Sequence, residues 1–237
     1  MRDINTTNLQ DILTELNSGF STQIDYFNST FEGRSNEFAM QIRKCFELHN
    51  QLPIISPGNE RERYSLAYSY FAIDCVFTSF QQLMIGYILP AGNMMRSSLE
   101  SIALSVLFSH EGYITRRRNK IIIKFSFYDD FLEDRGHAKA HKAIETAKRN
   151  WEVLGIQKET IEIIDSIRSS YNSLCHASPI AMAARATRHV PPQLLIGGDI
   201  SDTSIEALNV EIDARIHTAK TISSLLEGLV NKENRIR

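Results

Sequence analysis

The stretch TSIEALNVEIDARIHTAKTISSLLEGLVN, residues 203–231, decides the fold. Its apolar residues Ile205, Leu208, Ile212, Ile216, Ala219, Ile222, Leu226 and Leu229 recur in steps of three and four. That period is the repeat of an α-helix and lays one continuous apolar face along about eight turns. A face of that length has to be covered by other helices.

Upstream residues supply them. A first helix is expected from an N-cap at Thr7, with Leu9, Ile12, Leu13, Leu16 and Phe20 at helical spacing. A second covers Ser35–Asn50, with Phe38, Ile42, Phe46 and His49 on one side. Pro53 and Ser56-Pro57-Gly58-Asn59 then break the chain. Helix 60–89 follows, with Leu66, Tyr70, Ile73, Phe77, Phe80 and Met84 expected on its core stripe. Pro90 suits the first turn of the next helix, which runs to Ser109 and carries Met95, Leu99, Ile102 and Val106 on one face. Beside that face lie Ser98, Ser101, Ser105 and Ser109, side chains small enough for another helix to approach closely. Further helices are expected at Gly136–Leu154 and Lys158–Cys175, separated by Gly155. The stretch Ala186–Ser201, with Pro191-Pro192 and Gly197-Gly198, reads as an irregular loop or small β-hairpin.

Composition points the same way. With 11 Gly and 6 Pro in 237 residues, turn formers fall well below their average share of roughly 12%. Sandwiches, barrels and Rossmann-type units need more of them. The expected fold is therefore all-α, a single helical domain of about six to eight helices. It divides into an N-terminal extension (1–58), a core (59–186) and the long C-terminal helix (202–237).

A formal net charge of −2 excludes a generally basic nucleic-acid binder but leaves room for a local basic patch. The first residues show no apolar leader run, and Cys45, Cys75 and Cys175 form no CxxC pair. Free thiols in a reducing cytoplasm fit better than a disulfide framework. Residues 75–95 carry no formal charge, yet Gln81, Gln82, Pro90, Gly92 and Asn93 favour a buried helical hairpin over a membrane span.

Three groups of polar residues can carry chemistry. Arg168, Asn172 and His176 lie at i, i+4 and i+8 on one helix, a stripe about 12 Å long. His176 sits where Ser178-Pro179 ends that helix, so it suits either a helix terminus or a general acid/base beside a phosphate-steadying arginine. Arg96 and Glu100 share one stripe and suit an ion pair. Arg116, Arg117, Arg118, Lys120 and Lys124 suit RNA phosphates, with Phe125, Phe127 and Tyr128 near for stacking. The acidic run Asp129, Asp130, Glu133 and Asp134 directly behind them favours local pairing on a solvated face instead. Ile121–Phe127 reads as the buried side of a helix. His137 and His141 have the spacing of a metal pair but no HExxH glutamate or third ligand, so no metal and no cofactor is expected.

The strings Met95-Arg96-Ser97-Ser98-Leu99-Glu100-Ser101 and Tyr171-Asn172-Ser173-Leu174-Cys175-His176-Ala177-Ser178-Pro179 resemble the R-x-x-x-E and Y-x-x-L-x-x-H-x-S pattern of bacterial helical bundles allied to the HEPN superfamily. The likeness spans residues 60–186. It implies a bundle, often dimeric, whose polar residues meet in a cleft. Many such proteins are metal-independent ribonucleases of toxin–antitoxin or phage-defence loci, and others bind RNA, nucleotides or proteins. HEPN ribonucleases separate arginine and histidine by four to six residues, whereas seven separate Arg168 from His176. Arg43…His49 and Arg135…His141 do fit, at a frequency that chance alone supplies.

Two functions follow as expectations. The first is a metal-independent endoribonuclease or RNA-binding effector using His176, Arg168, Arg96 and Glu100, with Asn172 and the basic cluster on RNA. The second is a non-enzymatic module that forms homodimers or binds a partner protein through the apolar face of 203–231.

Overall fold

The computed structural model describes residues 19–52, 59–172 and 205–236. Within them lie helices α1 (Ser21–Thr30), α2 (Arg34–His49), α3 (Glu60–Met84) and α4 (Ile88–Phe108). Strands β1 (Ile114–Arg118) and β2 (Ile121–Phe125) follow, then α5 (Phe127–Leu132) and a 3₁₀ turn at Ala140–Lys142. The chain continues through α6 (Ala143–Arg149), α7 (Trp151–Leu154), α8 (Lys158–Asn172) and α9 (Ile205–Ile236). The expected first helix up to residue 18, the breaks at Pro53 and Pro57, and the loop 186–201 lie outside the described residues.

Helix α4 is the axis of the bundle. Every residue from Ser101 to Phe108 is buried, so this segment meets protein on all sides. Helices α3, α6, α8 and α9 pack around it. Helix α3 starts on Asn59, whose side chain accepts from the Glu62 N–H at 3.2 Å. It turns into α4 at Gly86, whose φ of 80° is open to glycine at little steric cost.

The α3–α4 contact is a ladder of small residues. Ser65 and Ser105 donate to each other's backbone carbonyl, each at 2.8 Å. Ser98 donates to the Ala72 carbonyl at 2.7 Å, and Ser79 to the Ala91 carbonyl at 2.7 Å. These pairs sit seven residues apart along both antiparallel helices, so one rung recurs every second turn. The serine stripe of α4 is thus where α3 approaches, and each buried hydroxyl finds an acceptor.

This ladder reverses part of the expected face of α3. Ile73 and Phe80 are buried as expected, but Tyr70 and Phe77 are exposed. Ser65, Ser69, Ala72, Val76 and Ser79 occupy the inside instead. Close backbone approach favours small side chains over aromatic ones there, and Phe80 is accommodated by stacking on Phe38 of α2 with ring centroids 4.0 Å apart.

Helix α9 places Leu208, Ile212, Ile216, Ala219, Ile222, Leu226 and Leu229 in the core of its own chain. That face is consumed by α2, α3, α4 and α8, so Ile216 and Leu226 are not open for association, contrary to expectation.

Two further expectations change. Residues 114–125 form an antiparallel hairpin rather than a helix, with Ile114 opposite Phe125, Arg116 opposite Ile123 and Arg118 opposite Ile121. Asn119 and Lys120 turn the chain at φ 48° and 68°, as a tight two-residue turn requires. Three consecutive β-branched isoleucines favour the strand, and the absence of glycine from the turn concealed it. The expected helix 136–154 is also divided, into the 3₁₀ turn, α6 and α7. Asn150 makes the break: its amide donates to the Thr146 carbonyl one turn back and to the Thr115 carbonyl across the fold.

No helix of the described residues is long and apolar enough to cross a membrane. Residues 75–95 span the end of α3, the turn at 85–87 and the start of α4.

Candidate functional site

Asn150 also anchors the hairpin from the other direction. Its side-chain oxygen accepts from the Thr115 N–H at 2.8 Å and from the Thr115 hydroxyl at 2.9 Å. Asn150 is 3% exposed and Thr115 half-buried, so these bonds form largely out of water. Ile114 and Phe125 bury one end of the hairpin in the core. Phe127, Tyr128 and Phe131 of α5 pack around Phe108, with ring centroids 5.0–6.2 Å from it. The base of the hairpin is therefore fixed while its tip projects.

The exposed surface of the hairpin, from the Asn119–Lys120 turn down to Lys124 and Tyr113 near its base, is cationic and apolar together. Arg117, Lys120 and Lys124 are exposed, as are Tyr113, Ile121 and Ile122. Arg117 stands opposite Ile122 and Lys124 opposite Thr115, on one face of the ribbon. On the other face Arg116 lies over the Phe125 ring, 5.7 Å from its centroid. Arg118 stands in register with Ile121 at the turn.

The acidic run does not neutralise these cations. Asp130 pairs with Arg135 at 3.1 Å and with His137 at 2.6 Å, Glu133 pairs with Arg135, and Asp134 with Lys139 at 3.5 Å. Among the described residues no carboxylate lies within ion-pair distance of Arg116, Arg117, Lys120 or Lys124. The expected local pairing fails because the hairpin carries its cations away from α5, while Asp130 turns toward the loop 133–138.

The residues expected to form a catalytic stripe are arranged differently. Arg96 and Glu100 close on each other at 2.9 Å on half-buried surface of α4. Arg168 pairs with Asp165 at 2.8 Å and donates to the His141 carbonyl at 3.3 Å. Asp165 also holds Lys148 at 2.8 Å, tying α6 to α8 and raising the ammonium pKa through that bond. Asn172 is half-buried at the end of α8, and His176 lies outside the described residues. Each arginine thus has its own carboxylate.

A polar cluster the periodicity concealed lies deeper. Arg215 of α9 has no exposed surface. It pairs with Glu211 at 2.7 Å, and Glu211 accepts from the Tyr171 hydroxyl at 2.9 Å. Burial raises the Tyr171 phenol pKa, although Arg215 opposes the shift. Arg215 sits three residues after Ile212 and four before Ala219, so its position in the core stripe was the only available signal.

A groove of about 660 Å³ runs between the α7–α8 turn and the C-terminal half of α9, lined by Leu154, Ile156, Thr160, Leu225 and Leu229 among others. It shares no residue with the hairpin. Among the described residues no three His, Cys, Asp or Glu side chains gather as a metal site. No family model matches the chain, and neither a curated protein nor a solved structure matches it at a significant level.

Proposed function

We propose that this chain is an RNA-binding helical protein that contacts its ligand through the 113–125 hairpin. One observation carries the reading: a rigidly based ribbon presents Arg117, Lys120 and Lys124 with no carboxylate partner, in a chain of net charge −2. Unpaired cations on a projecting ribbon attract phosphates and gain from counterion release. Tyr113 beside them offers a ring for an unstacked base, which suits single-stranded RNA. The likeness to HEPN-type bundles implies the same ligand class. The pairs Arg96–Glu100 and Arg168–Asp165 each close within one helix and read best as structural ion pairs of such a bundle rather than as phosphate ligands.

The test is a fluorescence titration of a labelled single-stranded RNA at several salt concentrations. Arg117→Glu together with Lys124→Glu is expected to weaken binding at least tenfold. Removing two phosphate contacts lowers the salt slope by about 1.4, at about 0.7 per contact on a single strand. Unchanged affinity and slope would contradict the reading.

The exposed Ile121 and Ile122 support a second reading, in which the same hairpin docks on a protein or on a second copy of this chain. Sedimentation separates the two. Assembly lost in Ile122→Lys, with no RNA bound by the parent, would favour that reading.

A further inference from the structure

Helix α3 keeps one face that the bundle leaves uncovered. Helices α1, α2, α4 and α9 pack against its other sides. Arg63, Ala67, Tyr70, Asp74, Phe77 and Gln81 are all exposed and recur every three or four residues. They form one stripe about 27 Å long, flanked by Phe71. Tyr70, Phe71 and Phe77 are 52%, 47% and 41% exposed, so three rings share a single helix face. Apolar side chains scattered singly on a surface are ordinary, but a contiguous set marks an interaction site. The central ring is also held in place: Tyr70 leans on Phe46 and His49 of α2, with ring centroids 6.0 and 5.7 Å away.

The charges on the stripe say what covers it. Asp74 stands between Tyr70 and Phe77, and Arg63 closes the N-terminal end. Among the described residues neither has an ion-pair partner. They lie about 16 Å apart along the axis, too far to pair with each other in one chain. A lone carboxylate among the rings opposes both a lipid surface and a phosphate backbone. A second copy of the same helix answers it. Arg63 lies as far from the midpoint of Ala67 and Tyr70 in one direction as Asp74 lies in the other. Two antiparallel copies centred on that midpoint bring each Arg63 level with Asp74 of the partner subunit. The same register sets Ala67, which has little side chain, opposite Tyr70 of the partner subunit.

We propose that the exposed face of α3 binds a second copy of this chain, helix antiparallel to helix, about a two-fold axis between Ala67 and Tyr70. The surface is isologous: one patch meets itself, so each Arg63–Asp74 pairing is made twice. Tyr70, Phe71 and Phe77 supply the aromatic area that interfaces favour, and the two ion pairs fix direction and register. A single helix pair lies at the small end of specific interfaces, so the dimer exchanges with monomer. The inference is independent of what the hairpin binds. It moves self-association from α9, whose apolar face is consumed within its own chain, to the helix whose rings are left outside.

The experiment is sedimentation velocity on the full chain over about 1–100 μM, where small interfaces dissociate. The parent is expected to show a monomer–dimer equilibrium. Arg63→Glu and Asp74→Arg should each weaken it at least about tenfold, because each sets like charges opposite one another twice. An equimolar mixture of the two variants should associate again, since every pairing between them is attractive. The double variant Arg63→Glu/Asp74→Arg should do the same by itself. A variant that merely failed to fold would restore neither. A parent that stays monomeric at the highest concentration overturns the proposal. So does a dimer that both single variants leave intact, which would place association elsewhere, the hairpin included. Single variants that dissociate without rescue in the mixture or the double variant also overturn it, because the antiparallel register requires that rescue.

Discussion

Ser65 and Ser105 exchange hydrogen bonds across the α3–α4 interface, each hydroxyl donating to the other's backbone carbonyl at 2.8 Å. The pair is the first rung of a ladder that continues through Ala72–Ser98 and Ser79–Ala91. Its spacing, rather than any single bond, sets how closely the two longest core helices before the hairpin approach.

Ser98 has no exposed surface, so a larger side chain has nowhere to go. Ser98→Leu is expected to cost about 1–3 kcal/mol by overpacking. Ser98→Ala removes one hydroxyl whose acceptor keeps its helical bond, and should cost about 1 kcal/mol or less. Urea unfolding compares them, and equal midpoints would contradict the ladder.

Arg215 and Glu211 behave as an unequal pair. Glu211→Ala strands a fully buried guanidinium and is expected to cost about 3–5 kcal/mol. Arg215→Met replaces that charge with an apolar chain of similar length and should cost clearly less. A larger loss for Arg215→Met, in the same denaturant titration, would show that the guanidinium is a net stabiliser.

Burial pushes both the Cys45 and the Cys75 thiol up to about 11. The unfolded chain ionises these thiols at about 8.5. Below that pH both states hold the protons and the contribution is complete. It falls as pH rises toward about 11, by up to about 1.4 kcal/mol per pH unit for each thiol, because the unfolded state sheds protons first. Stability measured from pH 8 to 10.5 should decline less steeply in Cys45→Ala/Cys75→Ala than in the parent. Parallel curves would contradict the assignment.

Asn150 connects the helix break to the hairpin. Asn150→Ala leaves the Thr115 N–H without its acceptor and is expected to cost about 1–3 kcal/mol. Amide exchange at Thr115 should accelerate, and RNA affinity should fall although no charge has changed. Unaltered exchange would mean that the hairpin is held by Ile114 and Phe125 alone.

The helices were legible wherever one apolar face repeats without interruption. Ile205 to Leu229 announced α9, and Phe38, Ile42 and Phe46 announced α2, because a single period runs through each. Faces made of small residues were not, since Ser65, Ser69 and Ser79 look polar until a second helix covers them. Arg215 was hidden for the converse reason: a cation inside an apolar stripe is visible only when Glu211 and Tyr171 are seen beside it. At the site, the basic residues were legible and their freedom was not. Sequence proximity suggested Asp129–Asp134 as their partners, whereas the hairpin separates them in space. The His137–Asp130 contact joins α5 to the loop behind it, and because the helix ends at Leu132 no helical period connects the two residues.

The central claim is that RNA lies on the hairpin, and photo-crosslinking tests it most directly. A single-stranded RNA carrying 4-thiouridine would be irradiated with the full chain and the adducts located by mass spectrometry. Adducts on residues 113–125, with Tyr113 foremost, are the predicted result. Adducts confined to α2 or α9, with the hairpin unlabelled, would contradict it.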